Sequence, residues 1–226
     1  MFTTPLTPRQ RRALTLGLAA LGTGVFWVLS LPLPFLFGPL ALNPGQTTDS
    51  GDPSIGFIFA AQALSLVVFF AALMAMLKAG DHVVSSRALF GSCLYILEEV
   101  LTRYGVEVTF VDGTDLDQWR AAVRPGTKAV FLETVSNPTL EVIDLEAVAG
   151  IAHGAGATVI VDNVFATPVL QKPLALGADV VVYSTTKHID GQGRALGGVI
   201  LGTRQFIRKT VEPYLKHTGA AMSPFS

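Results

Sequence analysis

The stretch ATVIVDNVFATPVLQKPLALGADVVVYSTTKHIDGQGRALGGVILG, residues 157–202, decides the fold of this chain. It contains three β-rich apolar runs, at 157–163, 178–184 and 197–202, separated by turn-forming and helix-forming residues. The runs are apolar throughout and do not alternate with polar residues. Strands of this kind are buried on both faces, which is typical of a mostly parallel sheet covered by helices.

The same alternation of strands and helices extends upstream to about residue 78. Asp144 is expected to cap the start of the last of these helices, and Gly154 or Gly156 to stop it. The fold class is therefore α/β, with flanking helices on a mostly parallel sheet. The predicted strands are HVVSS (82–86), VEVTFV (106–111) and KAVFLET (128–134), and the predicted helices cover 92–105, 115–123 and 144–156.

Charge divides the chain into an apolar leader, residues 1–77, and an α/β domain, residues 78–226. Only 15% of all residues are charged, and residues 13–77 carry just Asp49 and Asp52. Soluble domains usually contain about 25% charged residues, a level that only the second part approaches. The net charge of −1 gives no electrostatic case for nucleic-acid binding, and a single cysteine excludes a disulfide scaffold.

Two uncharged stretches in the leader, about 13–42 and 54–77, are long enough to be membrane helices. The basic cluster RQRR at 9–12 would keep the N-terminus cytoplasmic, so that two passes return the α/β part to the cytoplasm. The run LSLPLPFLFGPLAL (29–42) resembles a repeat of AbrB-type membrane proteins. For the second stretch, a buried helix of the following domain is the alternative.

Polar residues follow three of the apolar strands, where ligands of parallel sheets bind. They are Glu133 and Asn137 after one strand, Asp162 after the next, and the run STTK at 184–187 after the third. A lysine and a carboxylate at neighbouring strand ends suit pyridoxal phosphate, which needs an amine for attachment and an acid beside its ring nitrogen. Taken singly, these residues also fit ordinary turns, caps and surface positions.

Residues 78–226 resemble the Cys/Met-metabolism family of pyridoxal-phosphate enzymes, and within it the sulfhydrylases that act on O-succinylhomoserine. The run STTKHIDGQGR is the most specific element of the resemblance. The resemblance implies the large domain of a fold type I pyridoxal-phosphate transferase, in incomplete form. The matching segments are 79–93, 111–145, 160–202 and 216–225.

The resemblance also implies roles for residues at matching positions. Lys187 would be the catalytic, Schiff-base lysine, and Asp162 would hold the pyridinium nitrogen. Ser184 and Thr186 would bind the cofactor phosphate.

Two more cofactor-binding positions are implied. Phe90 stands where many relatives stack a tyrosine on the ring; it keeps the stacking surface but lacks a phenolic hydroxyl. Asn137 matches a position that contacts cofactor or substrate, and the competing interpretation is an asparagine that starts a turn before Pro138.

The implied reaction is γ-replacement on an O-acylhomoserine, in which sulfide displaces the acyl group to give homocysteine, a step of methionine biosynthesis. The implied partners are these small molecules, and relatives assemble as homo-oligomers.

Several family features have no counterpart in the sequence. The run SLVVFF (65–70) stands where relatives carry a Ser-Gly-Met phosphate loop, and a seam between unrelated sequences is predicted near 71–78. The N-terminal arm and the C-terminal domain after Ser226 are also without counterpart. We therefore expect a truncated or chimeric enzyme; the alternative is a catalytically inactive, membrane-anchored fragment.

Other site types find little support in the sequence. The glycine-rich stretch after Lys187 lacks the ending of a P-loop, and no glycine fingerprint for a nicotinamide cofactor follows the first strand. The histidines have no metal-ligand spacing, so no metal site is predicted. Cys93 is expected to be a buried thiol.

Overall fold

A computed structural model describes residues 68–192 and 197–219 of the chain. The chain divides into two compact units, Met1–Ala63 and Leu64–Ser226, and all described residues belong to the second. The predicted membrane helix over 13–42 and the first part of the one over 54–77 lie outside the described residues.

The second unit is built on a six-stranded sheet with the order β2-β1-β3-β4-β5-β6. The first five strands are parallel, as the apolar runs predict. β6 is antiparallel to β5, because the chain returns directly beside it with Ser184 opposite Gly198 and does not cross the sheet on a helix. The strands are β1 (His82–Ser86), β2 (Glu107–Val111), β3 (Thr127–Glu133), β4 (Thr158–Asp162), β5 (Val180–Ser184) and β6 (Gly198–Gly202).

Helices connect the strands at the predicted places. Asp144 caps α3 by accepting a hydrogen bond from the Ala147 N–H, as expected, and Gly156 follows the helix with a left-handed φ of 75°. α1 contains a π-helical turn, and a short 3₁₀ turn covers Pro173–Leu176. The helices are α1 (Gly91–Tyr95, Ile96–Val100, Leu101–Arg103), α2 (Leu116–Ala122), α3 (Leu145–Gly154), α4 (Thr167–Leu170) and α5 (Arg204–Phe206, Ile207–Val211, Glu212–Thr218).

Hydrophobic clusters cover both faces of the sheet. On one face, Trp119 of α2 and Val148 of α3 pack against alternate residues of the central strands. On the other face, Leu97 and Leu101 of α1 pack against the remaining strand residues, such as Phe131. This two-sided burial explains why the central strands are apolar without alternation.

The described part of the second apolar stretch lies in this core. Residues 68–74 are helical, and Phe69 packs on Phe131 with ring centroids 4.4 Å apart. A Cβ at Gly198 would lie 2.3 Å from Val68 Cγ2, so the close approach of this helix requires glycine in β6. Residues 68–77 therefore form a buried segment of the α/β domain, which is the alternative that the sequence left open for this stretch. Among the described residues, no helix is long and apolar enough to cross a membrane.

Candidate cofactor site

The loops that follow β1, β3, β4 and β5 meet at the carboxyl edge of the sheet, because these strands are parallel. The structure places all the predicted site residues in or next to these loops. They are Phe90, Asn137, Asp162, Ser184, Thr186 and Lys187.

Asp162 ends β4 and lies directly opposite Glu133 at the end of β3. One of its carboxylate oxygens, Oδ1, accepts a hydrogen bond from the backbone N–H of Val164 at 2.9 Å. Burial raises the pKa of Asp162 from 3.8 to about 6, against the opposing effect of this hydrogen bond. The protein thus holds a carboxylate in surroundings that disfavour its charge.

Glu133 is buried, with 5% of its surface exposed, and both of its oxygens accept backbone hydrogen bonds. Oε1 accepts from the Phe90 N–H at 2.7 Å and Oε2 from the Asn137 N–H at 2.9 Å. Burial, followed by repulsion from Asp162, raises the pKa of Glu133 from 4.5 to about 7. The sequence singled out Glu133 as the end of a strand but gave it no role.

Cys93 of α1 completes this cluster. Its Sγ, one carboxylate oxygen of Glu133 and one of Asp162 lie within 4.8 Å of one another. The thiol is buried, as the sequence predicts, and burial together with both carboxylates raises its pKa well above 9.0. None of the ion pairs formed by described residues involves either carboxylate. The cluster therefore brings two carboxyl groups and a thiol together, and no described ion pair supplies either carboxyl group with a cation.

Lys187 follows β5 in a π-helical turn, Thr185–Ile189. Its backbone departs from helical geometry, with φ −88° and ψ −114°, and its carbonyl accepts a hydrogen bond from the Gly191 N–H at 2.9 Å. The side chain is half-buried. Lys187 and Asp162 consequently stand at the ends of neighbouring strands, which is the arrangement that the sequence predicts.

The two predicted phosphate ligands are buried beside this turn. Ser184 ends β5 and is the residue immediately before the turn. The hydroxyl of Thr186 accepts a hydrogen bond from the Gly197 N–H at 3.0 Å and donates to the carbonyl of Gly197 at 3.4 Å. Thr186 therefore also fastens the lysine turn to the start of β6.

Asn137 starts a turn, as its competing interpretation holds. The peptide bond to Pro138 is cis, and the Asn137 N–H is one of the two donors to Glu133. Ser136 closes the loop through its hydroxyl, which accepts from the Glu141 N–H at 2.9 Å. A role as a turn former and a role at the site are compatible here, because the turn lies at the carboxyl edge.

Unusual backbone conformations occur at this same edge. Among the described residues other than glycine, a positive φ is adopted by Val135 (58°), Leu140 (58°) and Thr167 (61°). Val135 and Leu140 lie in the loop that follows β3, and Thr167 is the first residue of α4, which follows β4. The left-handed region is costly for β-branched residues, and such conformations cluster at functional sites.

A buried hydrogen-bond network, which the sequence did not reveal, supports the loop after Asp162. The side-chain nitrogen of Asn163 contacts the hydroxyl of Tyr183 at 2.7 Å and the carbonyls of Thr167 and Gln171, each at 3.1 Å. Its carbonyl oxygen accepts from the hydroxyl of Thr134. The only signal in the sequence was a polar residue directly after a candidate acid.

Comparison with known proteins identifies the family of this chain. Residues 60–226 match the model for the Cys/Met metabolism PLP-dependent enzymes. The chain belongs to this family. Its cofactor is pyridoxal 5'-phosphate. The match includes the helix over 68–74, which the sequence alone assigned to the apolar leader.

Several relatives have established names. The chain is 54% identical over 166 residues to the O-succinylhomoserine sulfhydrylase of Mycobacterium tuberculosis, covering 74% of this chain and 41% of the relative. It is 44% identical over 166 residues, with the same coverage, to the protein of that name from Pseudomonas aeruginosa. An L-methionine gamma-lyase of Porphyromonas gingivalis is 44% identical over 186 residues, covering 81% of this chain and 44% of the relative. The chain thus spans about two fifths of the length of these relatives.

The residues at the carboxyl edge fit the cofactor of the family. A protonated pyridine nitrogen carries a positive charge, and its presence next to the carboxylate would lower the raised pKa of Asp162. A lysine at the end of the next strand supplies the amine that covalent attachment requires. The charge of Asp162 and the amine of Lys187 therefore both suit pyridoxal phosphate.

Proposed function

We propose that the α/β domain of this chain binds pyridoxal 5'-phosphate at the carboxyl edge of its sheet. Lys187 would be the point of covalent attachment, and the Asp162 carboxylate would pair with the ring nitrogen. The observation that carries the proposal is the pair of carboxylates with raised pKa values, Glu133 and Asp162, next to the strand that leads into Lys187.

The remaining site residues would bind the other parts of the cofactor. The hydroxyls of Ser184, at the end of β5, and Thr186, in the turn that carries the lysine, are close in sequence to Lys187 and suit the phosphate. Phe90, ahead of α1, would stack on the ring, and Asn137 would contact cofactor or substrate. Because Phe90 has no hydroxyl, acid–base work must come from other groups, and Lys187 is the group best placed for it.

We further propose the reaction, γ-replacement on an O-acylhomoserine. When bound, the cofactor serves as an electron sink for carbanions next to the substrate nitrogen. Lys187 would move protons at Cα and Cβ, the acyl group would leave from Cγ, and sulfide would form the new carbon–sulfur bond of homocysteine. Similarity to two O-succinylhomoserine sulfhydrylases supports this choice.

Elimination is a second candidate, because other relatives are named L-methionine gamma-lyase and canavanine gamma-lyase. Both reactions use the same lysine and the same acid. They differ in whether sulfide is incorporated into the product, so product analysis separates them.

Titration of the purified full chain with pyridoxal phosphate tests the binding proposal. We expect a protein-bound absorbance band that is lost in Lys187→Ala and kept in Lys172→Ala, a change at an exposed lysine. A wild-type chain without a band, or a band that survives Lys187→Ala, would refute it.

Once the absorbance band is established, product analysis tests the proposed reaction. Homocysteine formed from O-succinylhomoserine and sulfide supports γ-replacement. Ammonia release without sulfide uptake supports elimination, and binding without turnover supports an inactive fragment.

A further inference from the structure

The Glu133 carboxylate joins two loops that come from different parts of the chain. Through Oε1 it holds the Phe90 N–H, ahead of α1, at 2.7 Å, and through Oε2 it holds the Asn137 N–H at 2.9 Å. Glu133 itself lies at the end of β3, a strand paired on one side with β1 and on the other with β4. A side chain on a rigid central strand thus fixes the backbone at two positions that follow separate strands.

The chemistry of the side chain suits this bridge. When Glu133 is ionised, both contacts are charge-assisted hydrogen bonds, which are shorter and stronger than neutral ones. The ionised carboxylate offers an acceptor on each oxygen, so it satisfies both N–H groups at once. A glutamine of the same size has a single acceptor oxygen, and its NH₂ group would face the second N–H donor.

The positions of these two N–H groups point to a role toward the cofactor. They belong to Phe90 and Asn137, the residues proposed above to stack on the ring and to contact cofactor or substrate. Glu133 lies directly opposite Asp162, the proposed partner of the ring nitrogen. One carboxylate therefore connects the backbone of two proposed ring contacts and adjoins the third.

We propose that Glu133 is a positioning residue, whose carboxylate holds the Phe90 and Asn137 segments in the relative arrangement that the cofactor ring requires. The inference has two parts. Its consequence, an effect on cofactor affinity and orientation, rests on the proposed function. Its structural part, the linkage of the two segments, stands on the two hydrogen bonds alone.

Amide hydrogen exchange of the full chain without added cofactor tests the structural part. We expect the Phe90 or Asn137 amide, or both, to exchange at least about tenfold faster in Glu133→Gln than in the wild type. The Val164 amide, which is bound to Asp162, should be unchanged. Glu98→Gln, an exposed change on α1, is the matched control and should leave all three rates unaltered. Unchanged exchange at both Phe90 and Asn137 would overturn the inference.

Cofactor titration then tests the consequence. In Glu133→Gln we expect affinity for pyridoxal phosphate about tenfold lower, and a weaker induced circular dichroism of the bound cofactor, which reports its orientation. Glu133→Asp, which keeps the charge but is too short to reach both donors, should show the same signature, and it decides the matter if the glutamine variant does not fold.

Three results separate the possibilities. Faster exchange with weaker, less oriented binding supports the positioning role. Faster exchange with wild-type affinity and dichroism would reduce Glu133 to a structural residue and overturn the role. Absence of cofactor binding by the wild-type chain would refute the proposed function, while the amide rates would still decide whether Glu133 links the two segments.

Discussion

The amino and carboxyl edges of the sheet differ in whether their polar side chains have side-chain partners. At the amino edge, both ring nitrogens of His82 are hydrogen-bonded at 2.9 Å, to the hydroxyls of Thr127 and Thr109. Arg124 and Glu107 form an ion pair there at 2.5 Å. At the carboxyl edge, Glu133 and Asp162 face each other without a side-chain cation among the described ion pairs.

The pKa values record the same contrast. Burial and the nearby charge of Arg124 lower the pKa of His82, so the histidine stays neutral within its network. Burial raises the pKa of both Asp162 and Glu133, which keep their backbone donors but are poorly compensated as anions. His82, Arg124 and Glu107 at the amino edge have partners within the protein, whereas a bound cation would compensate the two carboxylates at the carboxyl edge. We therefore expect a positively charged ligand group at the carboxyl edge.

Replacing the proposed partner of the ring nitrogen should sharpen the contrast most. Asp162→Asn removes the charge that pairs with the cofactor, and loss of one partner of a buried pair costs about 3–5 kcal/mol. We expect affinity for pyridoxal phosphate to fall at least about 100-fold, measured by absorbance titration. Asp117→Asn, at an exposed position of α2, should bind like the wild type. Equal affinity of both variants would contradict the assignment of Asp162.

The pH dependence of stability should reveal the strain on Glu133. Its pKa is raised from 4.5 to about 7 on folding, so the folded chain binds more protons than the unfolded one between these values. Stability without cofactor should therefore fall as pH rises through this window, by about 3 kcal/mol from this group. Urea unfolding at pH 4.5 and pH 8 measures it, and Glu133→Gln should lose this part of the slope. An unchanged slope would show that Glu133 titrates normally.

The amino edge should respond with the opposite sign. Because folding lowers the pKa of His82, its contribution to stability is present above its unfolded pKa and is lost as pH falls below about 6.5. His82→Ala should cost about 1–3 kcal/mol at pH 8, since it removes a buried side chain with two hydrogen bonds. Cofactor affinity should not change. His217→Ala, an exposed change, provides the control, and a loss of affinity in His82→Ala would break the division between the edges.

The smallest effect is expected from the ion pair at the amino edge. Arg124 and Glu107 are about half exposed, with side chains 53% and 60% accessible. Exposed pairs contribute about 0–1 kcal/mol, so Arg124→Ala should change the free energy of unfolding by less than about 1 kcal/mol, and less still at high salt. A larger loss would mean that Arg124 acts through the His82 network and not through its partner Glu107.

Much of the fold was predictable because burial on both faces leaves a continuous apolar run in each central strand. All six strands and the three main predicted helices occur where the sequence predicted them, within a few residues. The direction of β6 was not predictable, because an apolar run of five residues is the same in either orientation. The environment of residues 68–77 was also open, since an apolar helix suits a protein core as well as a membrane.

The candidate site was predictable in part. Lys187 and Asp162 could be found as polar residues at strand ends, where parallel sheets bind their ligands. The hydrogen-bond partners of Glu133 could not be found in this way. One of them, Phe90, lies 43 residues earlier in the sequence, and the other, Asn137, lies four residues later. A contact between residues so far apart in sequence depends on which strands are neighbours, and the hydrophobic periodicity does not predict the order of the strands.

The amino-acid sequence by itself determined the family, the apolar strands of the sheet and the residue types offered at their ends. Only the folded sheet makes β3 and β4 neighbours in register, so that Asp162 lies opposite Glu133 and adds to the rise in the pKa that burial of Glu133 causes. The physical reason is that strand composition reports burial, a local property. Electrostatic coupling depends on distances between side chains, and only the order of strands in the folded sheet sets these distances.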